Sequence, residues 1–209
     1  KDQCHWASWW KRSCWSFERN CYIRRTRLPR HHTDELAEIV NMARIPKCTS
    51  LKTVKAVVTD FDGVHTDNLV YVDENGNESV RCSRSDGMGI AALREAGFKL
   101  LILSKEQNPV VSRRGEKLNV EVIQGCDDKL EALKIWLASQ NISSQQCIYV
   151  GNDINDLECL QFVGVSVSPA DAHESVRHAV TWKLSNMGGR GAIRELSDVL
   201  IEVKNREKK

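Results

Sequence analysis

The feature that most constrains this chain is a regular alternation of short apolar runs and amphipathic segments that begins after residue 52. Short strands joined by helices are typical of a parallel sheet, because each parallel pair needs a crossover connection. We therefore predict an α/β fold with a doubly wound, mostly parallel sheet and helices on both faces. The predicted strands are 54–59, 99–103, 120–123, 147–150, 164–167 and 179–182, and the predicted helices are 87–96, 109–118, 128–140, 154–162, 172–178 and 191–203. Two further segments, 69–72 and 79–82, flank the turn signal Glu74-Asn75-Gly76-Asn77 and predict a β-hairpin.

The first fifty residues differ from the rest in charge and composition. They carry ten Lys/Arg and five Asp/Glu, whereas residues 51–209 carry twenty and twenty-three. Neither a helical nor a strand period fits the apolar positions of 1–32, but 33–43 has one apolar face and Thr33 as a potential cap. We predict an N-terminal extension (1–50) with a short helix near 33–43, followed by one main domain (51–209).

Composition excludes several classes of protein. No apolar run approaches the ~18 residues of a membrane helix, and the net charge of +2 gives no general reason to expect a nucleic-acid partner. The eight cysteines form no Cys-x-x-Cys pair, and several fall in predicted strands and helices. With no secretory apolar core at the N-terminus, this pattern predicts a cytoplasmic protein without membrane or nucleic-acid partners. A basic, Trp-rich arm that binds nucleic acid is a weaker alternative.

Carboxylates follow the first predicted strand directly. Asp60 and Asp62 come after Val57-Val58, and they repel each other unless a positive charge lies between them. A divalent cation would supply that charge, although a turn at Gly63 would also account for Asp62. Oxygen-bearing side chains follow another strand in the segment 151–156, and such ligands suit Mg²⁺.

Two other positions suit an anion. Ser104 follows the predicted strand at 99–103, where its hydroxyl can donate to a phosphate oxygen or cap the segment that follows. Lys129 opens a predicted helix, where the helix dipole disfavours a cation. A lysine there requires an anionic neighbour, unless it is simply solvated on the surface.

Together these four motifs resemble those of the haloacid dehalogenase-type phosphatases, over about residues 52–205. The resemblance implies that Asp60 is the nucleophile that forms an aspartyl-phosphate, and that Asp62 is the general acid and base. It implies that Ser104 and Lys129 hold the phosphoryl oxygens. The implied cofactor is Mg²⁺, with ligands from Asp60, the Asp62 backbone carbonyl, Asn152 and Asp153.

Three more segments narrow the resemblance: 85–90, 170–173 and 188–195. They are similar to those of the 3-deoxy-D-manno-octulosonate 8-phosphate phosphatases, and also to the phosphatase-like C-terminal module of acylneuraminate cytidylyltransferases. Members of this group lack a large cap domain. In this chain only about 40 residues separate Asp60 from Ser104, which is enough for a hairpin but not for a folded cap. The group forms tetramers in which a neighbour covers the site. The implied substrate contacts are Arg84, Ser85, Asp86, Gly87, Arg114 and Arg190.

Two positions depart from the family pattern. Asn152 stands where an Asp usually binds the metal ion, so either Asn152 or Asp153 could be the ligand. Glu106 stands where octulosonate-specific members carry Arg, and an acid there would repel a substrate carboxylate. This second departure favours a nonulosonate, such as a sialic acid 9-phosphate.

The leading hypothesis is therefore a Mg²⁺-dependent phosphomonoesterase that acts on the terminal phosphate of an eight- or nine-carbon keto sugar acid, as a homotetramer. The alternative is a tetramerisation module, fused to or associated with a cytidylyltransferase domain, with little catalysis of its own. An intact set of Asp60, Asp62, Ser104 and Lys129 favours the enzyme.

Overall fold

Eight strands are present in the computed structural model, which describes residues 51–206. They are β1 (Ala56–Thr59), β2 (Thr66–Val72), β3 (Glu78–Cys82), β4 (Lys99–Leu103), β5 (Glu121–Ile123), β6 (Cys147–Val150), β7 (Val165–Ser168) and β8 (Trp182–Lys183). Six of them form one sheet in the order β5–β4–β1–β6–β7–β8, in which every neighbouring pair is parallel. The remaining two, β2 and β3, pair antiparallel as a separate hairpin.

Helices connect the parallel strands, as the alternation in the sequence predicts. They are α1 (Arg84–Glu95), α2 (Val110–Leu118), α3 (Lys129–Ser139), α4 (Leu157–Phe162), α5 (Glu174–Ala179) and α6 (Ala192–Arg206), with 3₁₀ turns at Ser144–Gln146 and Ile154–Asp156. The doubly wound, mostly parallel fold is confirmed. The helix expected near 33–43 lies outside the described residues.

Two cores sandwich the sheet because strand side chains alternate between its faces. Val57 of β1 and Ile148 of β6 point into one core, which also contains the apolar faces of α1 and α6. Val58 and Tyr149 point into the other, against α3, α4 and α5. The strands are short and buried on both faces, which explains their nearly continuous apolar sequence.

Several predicted elements have other bounds in the structure, and two of these differences have a local cause. The helix expected over 154–162 begins with a 3₁₀ turn, because Asp153 and Asp156 cap each other's backbone N–H groups there. The strand expected at 179–182 is found at Trp182–Lys183. Ala179 instead ends α5, and Thr181 exchanges hydrogen bonds with Ser166 of β7.

The hairpin differs from the sheet in what it exposes. Four consecutive apolar side chains of β2, Leu69 to Val72, are between 53% and 66% exposed. Within residues 51–206, no helix has both the length and the apolar character needed to cross a membrane.

Candidate active site

The carboxyl ends of β1, β4 and β6 meet at one edge of the sheet, because β1 pairs with both of the other strands. Each strand is followed there by a buried polar residue: Asp60 after β1, Ser104 after β4 and Asn152 after β6. The backbone N–H of Asp60 continues the ladder by donating to the carbonyl of Val150 at 2.9 Å. The structure therefore brings together residues that lie far apart in the sequence, as expected for a ligand site in an open parallel sheet.

Lys129 is buried between two carboxylates. Its Nζ lies 2.9 Å from Asp60 Oδ1 and 2.8 Å from Asp156 Oδ1, and all three side chains are at most 7% exposed. Lys129 is the first residue of α3, where Asp128 caps the helix by accepting the backbone N–H of Glu131. The prediction that a lysine at this helix start needs an anionic neighbour is confirmed.

This buried cluster is short of positive charge. Burial raises the pKa of Asp60 to about 7, and the negative charge of Asp156 adds to the shift, while Lys129 opposes it. Burial by itself would lower the pKa of Lys129, but Asp60 and Asp156 more than offset this effect and raise it. Two carboxylates share one ammonium, so a further cation would stabilise the ionised form of Asp60.

Asp62 is partly buried and turns back on the loop that carries it. Its Oδ1 accepts the hydroxyl of Thr66 at 3.2 Å, and the Thr66 oxygen accepts the backbone N–H of Gly63 at 3.1 Å. Burial raises the pKa of Asp62, and the charge of Glu106 adds a smaller effect in the same direction. Asp62 is thus placed to retain a proton more readily than an exposed aspartate does.

Two carboxylates, those of Asp153 and Asp156, lie in the turn after β6. Asp153 is exposed, and its Oδ1 accepts the backbone N–H of Ile154 at 2.7 Å. Asp156 is 0% exposed, and its Oδ2 accepts the backbone N–H of Asn152 at 2.9 Å. Both carboxylates therefore stabilise the turn itself.

Asn152 differs from these two acids, because its Oδ1 is buried and has no hydrogen-bond partner in the described part of the chain. Its side chain lies against Gly63, where a Cβ would come within 2.0 Å of Asn152 Nδ2. Gly63 has φ +74°, so both its conformation and its contact require glycine. A buried amide oxygen without a donor is an available ligand for a cation.

Ser104 does not cap a helix. Its Oγ accepts the backbone N–H of Glu106 at 3.1 Å, and α2 begins only at Val110, after Pro109. Because that bond uses the oxygen as an acceptor, the hydroxyl proton remains free to donate to an anion. The carboxylate of Glu106 folds onto its own loop, where Oε1 accepts the N–H groups of Gln107 and Asn108.

The predicted substrate-contact residues lie in two groups. Arg84 and Ser85 are exposed at the first turn of α1. Arg114 of α2 lies against that turn, where it donates to the carbonyl of Ser83 at 2.9 Å and where a Cβ on Gly87 would lie 3.3 Å from its Nη2. The carboxylate of Asp86, by contrast, accepts the backbone N–H groups of Gly191 and Arg194 and so caps the start of α6.

Arg190 belongs to the second group, beside the hairpin. Its Nη2 lies 3.7 Å from Asp67 Oδ2, and the same carboxylate also binds Arg81 of β3. The glycines before Arg190 allow this approach, since a Cβ on Gly188 would lie 1.9 Å from the carbonyl oxygen of Gly63. The C-terminal loop therefore packs directly on the turn that follows Asp60.

Tyr149 is a site residue that sequence reasoning missed. Its hydroxyl donates to Asp156 Oδ1 at 2.8 Å, on the oxygen that also accepts Lys129. Tyr149 occupies an inward position of a buried strand, where an aromatic residue is expected to be core. The one available signal is its polar hydroxyl, which needs a buried partner.

Comparison with known proteins gives consistent results. A model of the haloacid dehalogenase-like hydrolases matches residues 96–191. The 3-deoxy-D-manno-octulosonate 8-phosphate phosphatase of Haemophilus influenzae is 33% identical over 157 residues, which are 75% of this chain and 87% of that protein.

Two solved structures are also similar. A HAD family hydrolase from Streptomyces avermitilis is 47% identical with a TM-score of 0.70, and the match covers 74% of this chain and 87% of that one. The 3-deoxy-D-manno-octulosonate 8-phosphate phosphatase of Moraxella catarrhalis, solved with a magnesium ion, a phosphate ion and a KDO molecule, is 29% identical with a TM-score of 0.74. That match covers 77% of this chain and 93% of the other.

Proposed function

We propose that this chain hydrolyses the phosphate ester of an eight-carbon keto sugar acid. The premise is that it belongs to the haloacid dehalogenase-like hydrolases, and among them to the 3-deoxy-D-manno-octulosonate 8-phosphate phosphatase family. The chain is a phosphatase. The observation that carries the proposed site is the Lys129 ammonium held between Asp60 and Asp156 at the carboxyl edge of the sheet. Such a cluster suits an incoming phosphate only when further positive charge is added.

A divalent cation, which we take to be Mg²⁺, fits the residues present. No three His, Cys, Asp or Glu side chains within residues 51–206 are placed to hold a metal ion by themselves. The proposed ligands therefore include the unpaired amide oxygen of Asn152 and the backbone carbonyl of Asp62, together with Asp60. Asp153 is exposed and engaged in its own turn, so we favour Asn152 over Asp153. When bound, the cation neutralises phosphate charge and favours the ionised form of Asp60.

Asp60 then acts as the nucleophile. Both of its observed contacts, from Lys129 and from the backbone N–H of Phe61, fall on Oδ1. Oδ2 attacks the phosphorus, and the bond between phosphorus and the sugar oxygen breaks. Ser104 donates its free hydroxyl proton to a phosphoryl oxygen, and Lys129 offsets the negative charge of the same group.

Asp62 transfers the protons. Burial raises its pKa, which favours the protonated form that donates to the departing sugar oxygen. In the second half of the reaction, the same carboxylate accepts a proton from water, and the water oxygen attacks the phosphorus of the aspartyl-phosphate. Inorganic phosphate leaves, and the Asp60 carboxylate is restored.

The proposed substrate is 3-deoxy-D-manno-octulosonate 8-phosphate, on which the named relatives act. The carboxylate of Glu106 caps its own loop and is only partly exposed, which weakens the expectation that it repels an octulosonate carboxylate. A nonulosonate 9-phosphate, such as that of a sialic acid, is the second candidate because Glu106 remains an acid near the site. A role in assembly alone gains no support, since the relatives named above are phosphatases.

Phosphate release tests this function. The wild-type chain and Asp60→Asn are assayed with octulosonate 8-phosphate, a nonulosonate 9-phosphate and an aryl phosphate, with Mg²⁺ or with a chelator. We expect turnover that needs both the metal ion and Asp60 and that favours the octulosonate. Preference for the nonulosonate would overturn the substrate, and silence across the panel from folded protein would overturn the function.

We also propose that this chain forms a homotetramer, as its resemblance to the octulosonate 8-phosphate phosphatase group implies. The support is the exposed apolar stretch from Leu69 to Val72 on β2, which has no cover from residues 51–206. Light scattering of the full chain is expected to show a tetramer, and Val70→Glu is expected to dissociate it. A monomeric wild-type protein would contradict this part of the proposal.

A further inference from the structure

We propose that Tyr149 is a positioning residue of this active site, whose hydroxyl fixes Asp156 and thereby holds Lys129 in place beside Asp60. This inference rests on the phosphatase function proposed above and adds a residue to its machinery. Tyr149 does not touch the substrate in this account, because it is 0% exposed and lies beneath the site. It acts through the two charged residues above it.

The position of Tyr149 on the sheet makes its hydroxyl a rigid anchor. Tyr149 lies inside β6, whose backbone is paired on both sides, with Val58 of β1 and Ser166 of β7. Its ring is packed in the core between the sheet and helices α3, α4 and α5. The hydroxyl therefore has little freedom to move, and it donates to Asp156 Oδ1 at 2.8 Å.

Asp156 is held at both of its oxygens. Oδ2 accepts backbone N–H groups from Asn152 at 2.9 Å and from Asp153 at 3.3 Å, which tie it to its own turn. Oδ1 accepts Tyr149 and Lys129, each at 2.8 Å. Among the described residues, the Tyr149 hydroxyl is thus the contact that fixes Oδ1 independently of Lys129.

Lys129 transmits this constraint to the nucleophile. Its ammonium bridges Asp156 and Asp60, so the location of Asp156 Oδ1 determines where the positive charge lies relative to Asp60. Without the tyrosine hydroxyl, Lys129 becomes the sole side-chain donor to that oxygen among residues 51–206, and the ammonium is drawn toward Asp156 and away from Asp60. The phosphoryl group would then meet less compensating charge in the transition state.

The expected kinetic effect falls on kcat. Outer partners that orient charged groups of a site commonly contribute about tenfold to a hundredfold in activity, and we expect Tyr149→Phe to lower kcat by about tenfold. KM for the sugar phosphate should stay within about twofold, because Tyr149 is buried below the surface that the substrate contacts. The phenyl ring keeps its place in the core cluster that also contains Leu133 and Cys159, so the variant should fold.

The experiment compares three proteins: wild type, Tyr149→Phe and Ser197→Ala. Ser197 is the matched control, because it also carries a fully buried hydroxyl, which donates to the carbonyl of Ile193 at 2.7 Å. It lies in α6 on the opposite face of the sheet. Steady-state kinetics with an aryl phosphate and Mg²⁺ are measured alongside thermal unfolding, and Ser197→Ala should retain the wild-type kcat.

A second readout does not depend on activity. The side-chain ¹⁵N resonance of the buried Lys129 ammonium is assigned by its absence from Lys129→Arg, and its shift and proton-exchange rate are followed in each variant. We expect both to change in Tyr149→Phe and neither to change in Ser197→Ala. An unchanged resonance, or an unchanged kcat in active enzyme, would overturn the inference. An inactive wild type with a responsive resonance would instead overturn the proposed function and leave the positioning contact standing.

Discussion

Two regions that follow β1 in the chain are built in opposite ways. At the sheet edge, Asp60, Lys129 and Asp156 are polar and buried, and each is held by another member of the cluster. In the hairpin, four consecutive apolar side chains of β2 are more than half exposed. The side chains of the first region are held by one another, whereas the second region presents a surface suited to a partner. The reaction is therefore expected to depend on the sheet, and cover and assembly on the hairpin.

The largest effect should come from the nucleophile. Asp60→Asn keeps the shape of the side chain but removes its ability to attack phosphorus, so we expect kcat to fall by at least about a thousandfold. Thermal unfolding should show a folded protein, because Lys129 still binds Asp156. The matched control is Asp127→Asn. The Asp127 side chain is fully exposed, and its surface ion pair with Lys105 is long, at 3.7 Å. Phosphatase activity near wild type in Asp60→Asn would contradict this assignment.

The next effect concerns the buried cation. Lys129→Met leaves two buried carboxylates without their shared ammonium, and breaking such a buried pair costs about 3–5 kcal/mol in the free energy of unfolding. Lys134→Met is the control on the same helix, because Lys134 is exposed and its pair with Glu131 is long, at 3.7 Å. Urea denaturation of both variants gives the comparison. Equal stability of the two would show that Lys129 does not hold the edge of the sheet together.

The pH dependence of stability offers a further way to separate the two regions. The carboxyl of Asp60 has a pKa of about 7 in the folded chain and 3.8 as its ordinary value. Between these values the folded state keeps a proton that the unfolded state has lost, so this group lowers stability as the pH rises from about 4 to about 7. Metal-free protein should show that loss, and Asp60→Asn should show less of it. Mg²⁺ should reduce the loss as well, since it favours the ionised carboxylate. Identical slopes with and without Asp60 would contradict the raised pKa.

The smallest expected effect is the difference in unfolding free energy between truncating a buried valine of the sheet and an exposed valine of the hairpin. Val58 on β1 is 0% exposed, whereas Val70 on the hairpin is 53% exposed. Truncating the buried valine to alanine is expected to cost about 2 kcal/mol of unfolding free energy, while the exposed one should change it by less than about 0.5 kcal/mol. Chemical denaturation at matched low protein concentration measures both. A large loss in Val70→Ala would mean that the hairpin is covered within a single chain.

Much of the fold follows from the sequence because strand and helix periods alternate clearly after residue 52. The positions of Asp60, Ser104 and Lys129 at element ends were predictable for the same reason: strand ends in a parallel sheet converge. The N-terminal extension and the helix expected at 33–43 stay predictions.

What the sequence did not disclose depends on long-range partners. Asp86 caps α6 through Gly191 and Arg194, more than a hundred residues away, and no local pattern marks that contact. The sequence predicts only a core position for Tyr149, and the fold is needed to show that its hydroxyl donates to Asp156. The choice between Asn152 and Asp153 as a ligand likewise required the fold, because it turns on which side chain is buried and unpaired.

The most direct test of the central claim is to trap the covalent intermediate. Enzyme turning over an aryl phosphate with Mg²⁺ is quenched with borohydride, which reduces an aspartyl-phosphate, and the digested protein is analysed by mass spectrometry. The account predicts that the modification maps to Asp60 and is absent from Asp60→Asn. Active enzyme with no modification at Asp60, or with one at another carboxylate, would contradict it.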